Sequence, residues 1–262
     1  MARLPNAIIL SLKLVKHIEP NKPINRYIES VVLIVLIVIY GGATFERNSI
    51  WENDPTLWSD TIHKSPGKAR PHNNLGVAYT EKGLMQKAII EIEKALMLKP
   101  DFINAHVSLG NAYMAIGLTD MAAAQYKEAL RFKPDYGEVY VNLGNTYVKR
   151  GMIDEAIAEY KEAISLKPGY APAHTNLASA YGLMGLTEEA VAQYKAAIIL
   201  EPDNPDIHYN LGIAYENLAG RYGQEAMSRE LRLKAINEYR ITLRLNTHDI
   251  QARERMTRLI SH

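Results

Sequence analysis

The stretch Tyr140-Val-Asn-Leu-Gly-Asn-Thr-Tyr147, followed by Ala156, Tyr160, Ala163 and Pro168, decides the fold. At about 100° per residue, Tyr140, Leu143, Gly144 and Tyr147 fall on one face of a helix. Ala156, Tyr160 and Ala163 form a second apolar face, and Pro168 stops the helix that carries it. The same pattern recurs in one register on both sides. Pro66, Pro100, Pro134, Pro168 and Pro202 are each 34 residues apart. Leu75, Leu109, Leu143, Leu177 and Leu211 share that spacing, as do Tyr79, Tyr113, Tyr147, Tyr181 and Tyr215. Five units follow: 69–102, 103–136, 137–170, 171–204 and 205–247. Each predicts a helical hairpin that cannot bury both its faces alone, so stability must come from stacking neighbours. The expected fold class is all-α, a right-handed superhelix of such hairpins preceded by one transmembrane helix.

Within a unit, the first helix runs over a segment such as Val139 to Arg150, and Gly144 lets the second helix approach closely. Gly83, Gly117, Gly151 and Gly185 follow the first helices, where a left-handed terminating residue is wanted. Thr119 and Thr187 are expected to cap second helices. Unit four has Ala178 in place of the glycine, and unit one has Ile92 where an aromatic is expected. Segment 46–68 reads as a linker and a lone second helix, Asp54 to Lys64, with Trp58 and Pro66 at the aromatic and proline positions. In unit five, Tyr215 and Ala235 are 20 residues apart, against 9 for Tyr181 and Ala190, so 11 residues are inserted. The charged stretch Ala219 to Leu231 is expected to extend the second helix or its approach. Segment 248–262 reads as a polar capping helix, Ile250 to Ile260, with Met256 and Ile260 inward.

This period, with its Leu-Gly-x-x-Tyr core, later alanines, aromatic and proline, resembles the tetratricopeptide family over about 69–247. The Asn-Leu-Gly pattern is most similar to the repeats of O-linked N-acetylglucosamine transferase, whose asparagine ladder holds extended peptide. A second resemblance starts at Arg47-Asn-x-x-Trp51 and continues through Leu57-Trp58, Ser65-Pro66 and Asn73-Asn-Leu-Gly76. It is to the junction in membrane O-mannosyltransferases that carry tetratricopeptide tails. That resemblance implies extracytoplasmic repeats and a glycosyltransferase partner. The family's catalytic acidic loops lie in earlier membrane segments, and this chain has one such segment, so a non-catalytic portion is implied.

From Ser30 to Phe45 the sequence carries no charge. Counted from Tyr27, the run reaches about the ~20 residues that a spanning helix needs. The alternatives are a buried core element, or a cleaved signal peptide ending at the small residues Gly41 and Ala43. Arg3, Lys13, Lys16, Lys22 and Arg26 precede the run, and Arg47 alone follows closely. The positive-inside rule then makes 1–26 a cytoplasmic segment and 27–45 a single-pass transmembrane helix, with the repeats extracytoplasmic. The stretch Ile8 to Ile18 reads either as a surface-lying segment or as a short helix.

The remaining composition narrows function by exclusion. Hydrophobic residues make up 47% and charged residues 23% of the 262, which is not a disordered composition. Lys+Arg number 30 against 29 Asp+Glu, spread along the chain, so no nucleic acid partner is expected. There is no cysteine, and hence no disulfide or thiolate metal site. No glycine-rich phosphate loop, His-Glu-x-x-His or nucleophile elbow occurs, so neither catalytic residues nor a cofactor are expected. His72, His106, His174 and His208 recur at one repeat position, a whole unit apart, and read as helix-packing residues rather than metal ligands. The candidate binding residues are Asn74, Ser108, Asn142, Asn176 and Asn210, each directly before the repeat leucine, together with Asn111 and Asn145. They point away from the Tyr-Leu-Gly-Tyr face, toward the concave groove of a superhelix. A carboxamide there offers donors and an acceptor to the backbone of an extended peptide. The expected function is a membrane-anchored scaffold that holds a protein segment. The chaperone-tail clamp of clustered basic residues is not expected, because Arg70 and Lys149 lie two units apart.

Overall fold

The computed structural model describes residues 55–222 and 225–261. The expected cytoplasmic segment and transmembrane helix lie outside the described residues. Among the described residues, no helix is long and apolar enough to cross a membrane. Twelve helices and no strand are found among them. They are α1 (Pro55–Lys64), α2 (Ala69–Glu81), α3 (Met85–Leu98), α4 (Ile103–Ala115), α5 (Thr119–Phe132) and α6 (Gly137–Lys149). There follow α7 (Ile153–Leu166), α8 (Ala171–Leu183), α9 (Thr187–Leu200), α10 (Pro205–Arg221), α11 (Glu225–Leu245) and α12 (Ile250–Ile260). Each helix packs on the next in sequence, so the chain is an α-solenoid of antiparallel hairpins.

The turn inside each hairpin follows from its glycine. Gly83, Gly117, Gly151 and Gly185 have φ of 72°, 79°, 74° and 74°, the left-handed region that side chains disfavour. This lets the amide of the next residue reach back to the repeat tyrosine. Leu84, Leu118, Met152 and Leu186 donate to the carbonyls of Tyr79, Tyr113, Tyr147 and Tyr181 at 2.8–2.9 Å. That is the Schellman closure. It also corrects the expected caps. The N-cap positions of α5 and α9 are Leu118 and Leu186, without a side-chain cap, and Thr119 and Thr187 are already the first helical residues. The turn closes so tightly that the second helix starts one residue earlier than a threonine cap would place it.

Gly144 does the other work expected of it. A Cβ built there would lie 2.5 Å from the ring of Tyr160, which is 1% exposed. Gly110 and Gly212 stand in the same relation to Tyr126 and Tyr239. The apolar core forms two continuous stretches that meet at α8. Leu177, Ala173 and Ala180 belong to the first, Ala178 belongs to the second, and Tyr181 packs against both.

The insertion in unit five lengthens both helices, not the second alone. α10 has 17 residues against 13 in the other first helices, and α11 has 21 against 14. Leu218, Ala219 and Leu231 are buried, so the extension packs on itself rather than looping out. Its tip rests on unit four, where the Tyr222 hydroxyl donates to Glu188 Oε1 at 3.4 Å. At the far end, Asp249 caps α12 by accepting from the Ala252 amide at 2.8 Å. Ile260 corrects an expectation: it is 63% exposed, and Leu259 packs inward beside Met256 instead. α12 lies on α11 and is tied to α10 through Gln251 and Arg255, and the side that carries Ile260 stays open.

Candidate functional site

The first helices form the inner layer of the solenoid. α2 touches α4, α6 touches α8 and α8 touches α10, whereas no two second helices approach as extensively among the described residues. Layers that crowd together lie on the concave side of a curved stack. The asparagine series belongs to these first helices. Asn74, Ser108, Asn142, Asn176 and Asn210 are half-buried, and Asn111 is exposed. The side chains of Ser108, Asn142 and Asn210 make no hydrogen bond to a described residue. Asn74 Oδ1 accepts from Asn73 Nδ2 at 3.3 Å. Asn73 is itself 5% exposed, and its Oδ1 is buried without a partner among the described residues. Asn176 Nδ2 donates to Asn145 Oδ1 at 2.9 Å, which links two units along the inner layer.

The structure adds a role for Asn111 and Asn145 that the sequence reading missed. The Tyr126 hydroxyl donates to Asn111 Oδ1 and that of Tyr160 to Asn145 Oδ1, both at 2.7 Å. These tyrosines belong to second helices. Their rings pass through the gap left by Gly110 and Gly144, and their hydroxyls emerge at the inner layer. In unit four the Tyr194 hydroxyl meets Ser179 Oγ at 2.9 Å, and in unit five Tyr239 donates to Glu216. Burial pushes the Tyr126 and Tyr160 hydroxyls well above the ordinary phenol range, so each remains a protonated donor, and burial also raises the Tyr194 hydroxyl. The signal was in the sequence. Unit one pairs Val77 with Ile92, units two and three pair Asn with Tyr, and unit four pairs Ser with Tyr.

The repeated histidines join one unit to the next. Nε2 donates to the carbonyl of the proline that ended the previous second helix: Pro66 at 3.4 Å, Pro100 at 2.9 Å, Pro168 at 3.0 Å and Pro202 at 2.9 Å. Nδ1 meets a side chain of the same unit's second helix. The partners are Glu91 at 2.7 Å, Gln125 and Gln193 at 2.8 Å, and Glu238 at 2.7 Å. In unit three Tyr140 takes this place and packs half-buried against the core. Among the described residues no three His, Cys, Asp or Glu side chains come together as a metal site would require. Burial works upward on the Glu91 carboxyl, but hydrogen bonds from Lys94 and His72 outweigh it and hold the carboxyl below its ordinary value of 4.5. A depressed folded value means the stabilisation is complete above the ordinary value and is lost as pH falls through the folded one. Glu91→Gln should therefore melt below the native chain at about pH 7, with the gap closing toward about pH 3. Thermal melts across that range check it.

An inner layer of polar first helices, backed by tyrosine and histidine ties, defines a repeat scaffold suited to protein–protein interaction. Models described as TPR repeat and Tetratricopeptide repeat match residues 119–151, 144–185 and 186–218, and 69–102. The chain belongs to the tetratricopeptide-repeat family. Protein O-mannosyl-transferase Tmtc3 of Drosophila melanogaster is 26% identical over 73 residues, which are 28% of this chain and 8% of that one. The match thus spans a small part of that relative's length. Among solved structures, MamA is 27% identical with a TM-score of 0.55, covering 62% of this chain and 94% of that one. A thermophilic tetratricopeptide protein of Thermus thermophilus is 25% identical with a TM-score of 0.55, covering 74% of this chain and all of that one. YrrB, described as having an unusual peptide-binding site, shares the fold at 21% identity and a TM-score of 0.57, over 77% of this chain and 98% of that one.

Proposed function

We propose that the chain is a membrane-anchored adaptor whose concave inner layer grips an extended protein segment, and that it holds its partner without catalysing a reaction. The observation that carries this reading is the row of half-buried, largely unpartnered polar side chains at 74, 108, 142, 176 and 210 on the crowded side of the stack. A groove of this kind, in a right-handed superhelix, offers backbone-directed hydrogen bonds at regular spacing to a chain lying along it. The anchor rests on the uncharged run from Ser30 to Phe45, and the basic residues before it favour an extracytoplasmic array. The test is a crosslinked pull-down from intact membranes. It compares the native chain with a variant in which Asn74, Asn142, Asn176 and Asn210 are all alanine. A partner captured by the native chain should be lost by the folded variant. Equal capture by both moves the working surface to the convex face, the ends or the anchor.

A second reading is favoured by the match to Tmtc3: the chain serves as a non-catalytic portion of a membrane O-glycosylation system. It predicts that supplying the membrane region of an O-mannosyltransferase in trans supports glycosylation of a protein acceptor, and that omitting this chain reduces it.

A further inference from the structure

We infer that Tyr160 is a positioning residue for the groove. It orients Asn145 and Asn176 so that the pair presents one donor and one acceptor to a single residue of an extended, uncharged chain. This rests on the groove reading above and names the chemistry of its occupant. Asn145 Oδ1 receives two hydrogen bonds, from the Tyr160 hydroxyl at 2.7 Å and from Asn176 Nδ2 at 2.9 Å. A carbonyl oxygen has two lone pairs, so this acceptor is saturated. What stays open is Asn145 Nδ2, a donor, and Asn176 Oδ1, an acceptor; neither has a partner among the described residues, and neither is sealed from solvent. The N–H and C=O of one residue in an extended strand lie on the same side of the chain, and a neighbouring strand satisfies both together. Asn145 and Asn176 offer the same complement from two adjacent units.

The hydroxyl is what fixes this arrangement. A free carboxamide rotates between donor-out and acceptor-out states, and freezing it on binding costs affinity. Tyr160 comes from the opposite helix with its ring held beneath Gly144, so the orientation is set before any ligand arrives. The step between units two and three is different. Asn111 has its tyrosine, but no hydrogen bond runs from Asn142 back to it. The surroundings also select the occupant. Asn142, Asn145, Thr175, Asn176 and Ser179 carry no charge, and the charges of α6, Glu138 and Lys149, sit at its two ends, so the pair itself offers nothing to repay the desolvation of a charged ligand. Binding at this step should be insensitive to salt.

The experiment uses the full chain in a non-ionic detergent and, as probe, a fluorescein-labelled pool of randomised uncharged dodecapeptides read by anisotropy. Tyr160→Phe keeps the ring and should weaken binding about fivefold, the worth of one hydrogen bond. Asn145→Ala should weaken it comparably, and adding Tyr160→Phe to Asn145→Ala should cost nothing further, since the hydroxyl acts through that carboxamide. If the Tyr160→Phe loss adds in full to that of Asn145→Ala, or is absent, the positioning role is wrong. The groove reading would still stand if the quadruple variant at Asn74, Asn142, Asn176 and Asn210 loses the probe. If that variant binds as the native chain does, or the native chain does not bind the pool, the groove reading fails and takes this inference with it.

Discussion

Gly144→Leu lowers the melting temperature of the array by roughly 10 °C, with Gly169→Leu as a control that leaves it nearly unchanged. The expectation comes from one contact. A Cβ at position 144 would lie 2.5 Å from Cε1 of Tyr160, closer than real Cβ atoms sit, and the ring is too enclosed to move aside. Leucine adds three further carbons in the same direction, so the two helices of unit three must separate. Overpacking of this kind costs about 3 kcal/mol or more. Gly169 has nothing within 4 Å of its added Cβ, and its substitution tests whether the loss belongs to the contact rather than to glycine. Unit four shows how much the design tolerates. Ala178 occupies the glycine position there, fully buried, and Tyr194 bonds Ser179 where the tyrosines of units two and three reach an asparagine. A methyl group is thus accommodated with an altered neighbour, and a larger side chain has no precedent in the chain. Differential scanning calorimetry on both variants checks the prediction. A Gly144→Leu melt equal to the native one would sink the packing account.

The register and the helix pairs were readable from Pro100, Leu109 and Tyr113 and their repeats, because a 34-residue period fixes the order of the hairpins. The turn glycines were equally legible, since only a left-handed residue closes that corner. What escaped was the outcome of competition between local rules. Thr119 and Thr187 are good caps by composition, but the Schellman closure brings Leu118 and Leu186 to the cap position first. Ile260 fits the apolar face of α12 by spacing, yet a residue is buried only where a second element arrives to cover it. The geometry of the candidate site was half legible. The polar residue before each repeat leucine, asparagine in four units and Ser108 in unit two, announces a polar inner face. That Asn111 and Asn145 also tie down buried tyrosines depends on a ring crossing between helices, which no single helical wheel displays. Comparing Val77 with Ile92, and Asn145 with Tyr160, exposes the coupling once those positions are known to meet.

The second large effect is expected at the other end of the array, where Tyr239→Ala should release unit five and α12 while units two and three stay intact. Tyr239 is fully buried, packs under Gly212 and lies 5.8 Å from the ring of Tyr209. Its hydroxyl donates to Glu216, and Glu216 Oε2 accepts from Arg255 Nη1 of α12 at 2.9 Å. Arg255 also donates from Nε to the Tyr209 hydroxyl at 3.3 Å, which in turn donates to Gln251 Oε1 at 3.0 Å. One side chain therefore fills the core of the unit and orients the carboxylate that latches its cap. Truncation to alanine removes both functions and leaves a cavity, costing about 3–5 kcal/mol. Tyr239→Phe separates them. It keeps the packing and gives up one hydrogen bond to a charged acceptor, for about 1.5–3 kcal/mol, while Glu216 and Arg255 still face each other. Because each repeat contacts only its neighbours, the loss should stay local. Hydrogen exchange reads this directly: amides of α10, α11 and α12 should lose protection in Tyr239→Ala, while those of α4 to α7 keep theirs. Uniform loss across all helices would mean that the solenoid unfolds as one cooperative block, and the nearest-neighbour account of its stability would have to be abandoned.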